Sequence, residues 1–166
     1  MGPPGRGAGA DAVHPRFAAF TPICLPGVKK SYIIIMLQKG RKLGGGLNMN
    51  IAVCENSRTT AEQLRGWVQQ YCTLYDIPAV LRCFLSPSEF SNRKECFHIV
   101  FMAFGGITGF SQARQLREAD QDCRIIMVDD TQEFAVRCVR LHCTDFILRP
   151  VEFRHVVRSM RLALGG

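Results

Sequence analysis

The run His98-Ile99-Val100-Phe101-Met102-Ala103 constrains this chain more than any other stretch. Five of its six residues are apolar, and Phe104-Gly105-Gly106 closes it. An uninterrupted apolar run of strand length, bounded by glycines, reads as a strand buried on both faces. Such strands belong to parallel sheets covered by helices on each side. In an open parallel sheet, ligands and chemistry lie just beyond the carboxyl ends of the strands. The residue at this end is Ala103, which brings no functional group to that address.

The same alternation recurs along residues 49–166. Ile51-Ala52-Val53-Cys54 and Ala79-Val80-Leu81-Arg82-Cys83-Phe84 have strand length, as do Ile125-Ile126-Met127-Val128 and Asp145-Phe146-Ile147-Leu148. Between them come helical repeats. Thr59 and Glu62 have capping-box spacing ahead of Leu64, Val68 and Tyr71. Ser86-Pro87-Ser88-Glu89 gives a cap, a first-turn proline and an acid three residues after the cap. Ile107, Phe110, Ala113 and Leu116 mark a third helix. Thr131 is expected to begin a fourth, with Phe134, Ala135, Cys138 and Val139 on one side. Phe153, Val156, Val157, Met160 and Leu164 form the stripe of a fifth. Five strands alternating with five helices predict an α/β fold with one parallel sheet and helices on both faces.

Composition narrows the class. Hydrophobic residues make up 47% of the chain and charged residues 21%, a globular balance. The net charge of +7 is misleading as a sign of nucleic-acid binding. Seven of the 21 basic side chains but only one acid, Asp11, fall in residues 1–48, so the remainder is close to neutral. Residues 1–48 open on a Gly/Pro-rich run and are expected to be a poorly ordered basic extension. Their one apolar burst, Tyr32–Leu37, is too short to cross a bilayer. Because the regular pattern starts just after Met49, that residue is a candidate natural start. The eight cysteines show no CxxC pair and no zinc-site spacing with histidine. Several fall in apolar segments, where cysteine acts as a small hydrophobe. Free thiols in a reducing cytoplasm are the expectation.

The order of elements and the residues at the strand ends resemble the receiver domain of response regulators, particularly those of LytTR-type regulators. The resemblance covers about residues 49–164. It is carried by Ile51-Ala52-Val53-Cys54-Glu55-Asn56, by Ile125–Val128 and by Asp145-Phe146-Ile147-Leu148-Arg149-Pro150-Val151. It implies a flavodoxin-like (βα)5 fold with strand order 2-1-3-4-5. In that family an aspartate ending the third strand accepts a phosphoryl group from a histidine kinase. Acidic residues after the first strand hold magnesium, a Ser or Thr ends the fourth strand, and a Lys before proline ends the fifth.

This sequence departs from the pattern at nearly every such position. Ala103 replaces the phosphoacceptor, and no Asp or Glu lies between His98 and Gly109 to take over. Glu55 keeps one acidic position, whereas Asn56 replaces the other. Asp129 stands where a hydroxyl is expected, Arg149 replaces the lysine, and Phe146 fits an aromatic switch position. Residual Glu55, with Asp129, is expected to hold a cation weakly or not at all, so no metal and no cofactor are expected. Two readings of the changed residues stand side by side: a drifted pocket, or an Asp129–Arg149 ion pair across it.

The remaining candidates are weaker. Gly105-Gly106-Ile107-Thr108-Gly109 lacks the spacing of a phosphate-binding loop and reads as a turn. His98 reads as packing. Arg154, Arg158 and Arg161 form a basic stripe, which Arg137 and Arg140 could extend. In receivers the face made by helix 4, strand 5 and helix 5 is the usual dimer surface. The reading is therefore a degenerate receiver in bacterial two-component signalling or transcription control, working in the cytoplasm. It is read as an interaction module, not an enzyme, with protein partners or a second copy and no membrane. A histidine kinase and a DNA-binding output are expected to lie outside this sequence, in keeping with a stand-alone adaptor or a truncated regulator. Alternatives are a phosphorelay receiver with another acceptor, or an unrelated flavodoxin-like enzyme or ligand binder.

Overall fold

The computed structural model describes residues 48–165. The expected basic extension, with its Tyr32–Leu37 burst, lies outside the described residues apart from Asn48. The first strand, β1, spans Met49–Cys54. It is followed by β2 (Ala79–Phe84), β3 (Ile99–Met102), β4 (Arg124–Asp129) and β5 (Asp145–Leu148). All pair in parallel, in the order β2-β1-β3-β4-β5 that the resemblance implies. Five helices connect or follow them: α1 (Arg58–Leu74), α2 (Pro87–Ser91), α3 (Gly106–Ala119), α4 (Ala135–Arg140) and α5 (Phe153–Leu164).

Alternation along each strand sorts the core into two layers. Ile51, Val53, Ile99, Phe101, Ala103, Ile126 and Val128 face α1 and α5, meeting Leu64, Val68, Val156 and Met160. Ala52, Cys54, Val100, Met102, Ile125 and Met127 face the opposite way, toward Phe90 of α2, Ala113 and Leu116 of α3, and Cys138 of α4. Covered on both sides, β3 is buried at every residue, which is why it is apolar throughout. The edge strand β2 alternates between half-buried and exposed residues until Phe84. Truncating a fully buried ring such as Phe101 would cost about 3–5 kcal/mol.

Two helix starts differ from expectation. The cap of α1 is Ser57, not Thr59, with its Oγ accepting from the Thr60 N–H at 3.4 Å. The helix α4 begins at Ala135 and not at Thr131. The Thr131 hydroxyl accepts from the Glu133 N–H two residues on, which makes a turn in place of a cap. Only Cys138 of this short helix is buried, and Val139 points to solvent. The cap at Ser86 forms as read: its Oγ accepts from Glu89 N–H at 3.2 Å, while Glu89 accepts from Leu85 N–H at 2.8 Å.

At the amino ends of the strands, Arg117 in the last turn of α3 is buried without a carboxylate partner among the described residues. Its guanidinium donates to four carbonyls: Asp120 and Gln121 after α3, and Leu141 and His142 after α4. These include carbonyls that a helix end leaves without an internal donor, and they carry the negative end of the peptide dipoles. Nearby, His98 Nδ1 accepts from the Asn50 N–H at 2.9 Å, so His98 serves packing and backbone satisfaction.

Candidate functional site

The site lies at the carboxyl ends of β1, β3, β4 and β5, where the topology places function. Which side chains can meet there follows from the two-residue period of a strand. Continuing the pattern of Ile51 and Val53 puts Glu55 on the α1/α5 side. Ala103 is already part of that layer, and Arg149 follows Ile147 onto it. Asp129 has the opposite parity, one residue past Val128, and faces α3.

The contacts obey this parity. Arg149 Nη2 donates to Glu55 Oε2 at 2.6 Å and to the Ala103 carbonyl at 2.7 Å. Its Nε lies 3.5 Å from Asp130 Oδ1, an exposed carboxylate, but is itself buried without a hydrogen-bond partner. The other Glu55 oxygen accepts from the Ser57 N–H at 3.1 Å, at the start of α1, where the helix dipole favours a negative charge. The side chains of Glu55 and Arg149 keep only 7% and 22% of their surface exposed, so this pair is screened less than a surface pair.

The Asp129–Arg149 ion pair considered from sequence does not form. These residues meet only through backbone, Arg149 N–H donating to the Asp129 carbonyl at 2.8 Å. The Asp129 carboxylate is buried on the other side, where it accepts from the Gly106 N–H at 2.9 Å and the Asp130 N–H at 2.7 Å. Gly105 and Gly106 both have positive φ, a turn that side-chain-bearing residues rarely make, and it presents the Gly106 N–H to Asp129. Since Gly105 supplies no side-chain cap, Asp129 caps α3 from a neighbouring strand. Asn56 is exposed at the rim, its amide donating weakly to the Phe104 carbonyl at 3.4 Å.

Above Arg149 opens a cleft of about 480 Å³, lined by Thr60, Gln63 and Trp67 of α1 together with Ala103, Asp130, Arg149 and Val151. Sequence reasoning singled out Glu55, Ala103 and Arg149 but missed Asp130, Trp67 and the unsatisfied Arg149 Nε. Strand parity was the signal that points to Asp130. The cleft gathers two carboxylates and one guanidinium around a strand end with no nucleophilic side chain. Among the described residues no group of three His, Cys, Asp or Glu side chains is placed to hold a metal ion.

Phe146 is half-buried against the α3/α4 layer and lines a shallow hollow with Gln132, Ala135, Leu148, His155 and Arg158. Arg158 grips Asp145 with two bonds, at 3.0 and 3.1 Å, and Arg154 pairs with Glu152 at 2.9 Å. The basic stripe on α5 is therefore partly neutralised. Among the described residues no helix is long and apolar enough to cross a membrane.

Solved structures that share this fold include response-regulator receivers. The response regulator DrrB of Thermotoga maritima, an OmpR/PhoB homologue, superimposes with a TM-score of 0.61 at 17% identity, over 72% of this chain and 54% of that one. This chain thus spans about half the length of that regulator. The CheY-like receiver domain protein of Methanospirillum hungatei JF-1 gives 0.61 at 11% identity, over 72% of this chain and 95% of that one. The non-phosphorylated HemR receiver domain of Leptospira biflexa gives 0.59 at 17%, over 72% and 96%. The fold is that of receiver domains. No protein-family model matches the sequence, and no curated protein matches it.

Proposed function

We propose that this receiver-fold domain is a two-component-type signalling module that works without aspartyl phosphorylation, through contacts with other proteins. One observation carries the reading: the Arg149 guanidinium is bound to Glu55 and to the Ala103 carbonyl at the strand end where a working relative would receive a phosphoryl group. Acyl-phosphate formation needs a carboxylate nucleophile, and Ala103 has none. Magnesium does not fit this set of residues. Both Glu55 oxygens accept hydrogen bonds, both Asp129 oxygens are taken by backbone N–H groups, and Asn56 is turned to the rim, which leaves exposed Asp130 as a single open carboxylate facing the Arg149 guanidinium. An octahedral cation asks for free carboxylate oxygens. That the domain is no enzyme and takes no cofactor is part of this proposal.

The surfaces support an interaction role. On α4, Val136 and Val139 are 68% and 74% exposed, and Leu148 of β5 and Leu162 of α5 are also uncovered. Exposed apolar side chains on α4, a helix that also carries Arg137 and Arg140, suit a face that meets another protein or a second copy of this domain. Membership of the LytTR-related group and a cytoplasmic setting belong to the same proposal, as do a histidine kinase and an output domain supplied by other chains.

The test is incubation with acetyl phosphate and magnesium, followed by intact mass. The expected spectrum shows no phosphoryl adduct, and size exclusion with beryllofluoride shows no shift. A magnesium-dependent adduct would overturn the reading in favour of a receiver with another acceptor.

A further inference from the structure

The carboxyl end of α4 brings two thiols together. The helix closes with the crossed pair of backbone bonds that ends many helices. The His142 N–H donates to the Val139 carbonyl, and the Cys143 N–H donates to the Cys138 carbonyl, both at 3.0 Å. His142 takes the left-handed conformation this ending requires, with φ of 55°. In such an ending, the side chain three positions inside the helix meets that of the second residue beyond it, normally as an apolar contact. Here both are cysteines, packed on the same core layer.

A shared N–H···O=C bond, with the covalent geometry on either side, leaves the two α-carbons at most about 7 Å apart, near the range a disulfide spans. Both side chains belong to the same buried layer. The interaction with Cys143 pulls the Cys138 thiol below its ordinary range, while the interaction with Cys138 and burial push Cys143 up. Cys138 is buried and Cys143 is partly exposed.

We propose that Cys138 and Cys143 form a reversible thiol–disulfide couple, closed by a small hydroperoxide and reopened by a thiol reductant. The Cys138 thiolate attacks the hydroperoxide, the O–O bond breaks, and Cys138 becomes a sulfenic acid. The departing alkoxide takes the Cys143 proton and leaves as an alcohol. The Cys143 thiolate then attacks the Cys138 sulfur, the S–O bond breaks, and hydroxide leaves to become water. Counted as neutral thiols, two thiols and one hydroperoxide yield one disulfide, one alcohol and one water. With hydrogen peroxide the alcohol is itself water. The new bond fastens the last turn of α4 to the segment entering β5, beside the exposed Val136 and Val139.

The full chain is treated with hydrogen peroxide near neutral pH, alkylated and digested with trypsin without reduction. Cleavage after Arg137 and Arg140 separates residues 138–140 from the peptide that begins at Leu141. The proposal expects these peptides as one ion, two hydrogens lighter than their sum, which dithiothreitol splits. In Cys143→Ser, and equally in Cys143→Ala should the serine variant fold poorly, that ion is absent. Separate alkylated peptides after peroxide, Cys138 oxidised alone to the sulfinic acid, or either thiol joined to a different cysteine would overturn it.

Discussion

Arg117 and Arg149 stand at opposite ends of one sheet and answer the cost of a partly or wholly buried guanidinium in opposite ways. Arg117 has no carboxylate but four carbonyl acceptors around a closed site. Arg149 has the Glu55 carboxylate and one carbonyl, a loose contact with exposed Asp130, and an Nε with no acceptor at the floor of a cleft. The first arrangement is complete, so it serves architecture. The second is incomplete and open to solvent, so it is the end at which something can still bind or change. A charge count alone would rank Arg149 as the better anchored residue. Counting satisfied donors reverses that ranking.

The largest effect is expected at the closed end. Arg117→Met strands four carbonyls among two helix ends and is expected to lower stability by about 4 kcal/mol, read as a fall in the urea midpoint. A midpoint within about 0.5 kcal/mol of the parent would break the contrast.

Next comes an alkaline loss of stability at the same end, where burial pushes the Cys72 thiol from 9.0 to about 11. A thiol raised in the folded state favours folding below its unfolded value and loses that contribution as pH climbs through the folded one. Stability should therefore decline between roughly pH 9 and 11, by about 2 kcal/mol. Urea titrations across that window check the slope, which Cys72→Ala should flatten. Buried Cys54, also raised by desolvation, adds in the same direction.

The open end should respond less. Glu55→Gln leaves Arg149 its Ala103 carbonyl and a solvent-facing cleft, so a loss of about 1–2 kcal/mol is expected. A double-mutant cycle with Arg149→Met isolates the pair, and a coupling near zero would show that the cleft screens it as water does. Smallest of all, Asp130→Asn should change stability by less than about 0.5 kcal/mol, because that partner is exposed and its contact is long. A larger effect would mean that Arg149 has a second anchor after all.

Much of this architecture is legible in the sequence, since fully buried strands must be apolar throughout and helices must carry stripes. The apolar run ending in Ala103, the Asp145–Val151 segment and the Phe153–Leu164 stripe therefore predict a parallel sheet covered by helices, whereas its strand order follows only from the resemblance to receivers. Glu55, Ala103 and Arg149, counted from strand ends, do meet at the carboxyl end of the sheet. The Asp129–Arg149 pair failed for one reason: adjacent residues of a strand face opposite sides, so Asp129 turned to α3 while Asp130 turned to Arg149. Arg117 left no signal because its partners are backbone carbonyls, which no residue type announces. The Cys138–Cys143 pair was hidden because its five-residue spacing matters only at a helix end. His142 fills the left-handed position where a glycine would have marked that end.

Asp129 also bears on how this sequence can vary. A carboxylate that caps α3 across two strands does not depend on any signalling chemistry. Substitution scanning should therefore find position 129 tolerant of Asn and intolerant of Leu or Val, whatever has become of phosphotransfer. Position 129 is then constrained by the seating of α3 on the sheet and not by any reaction at the cleft.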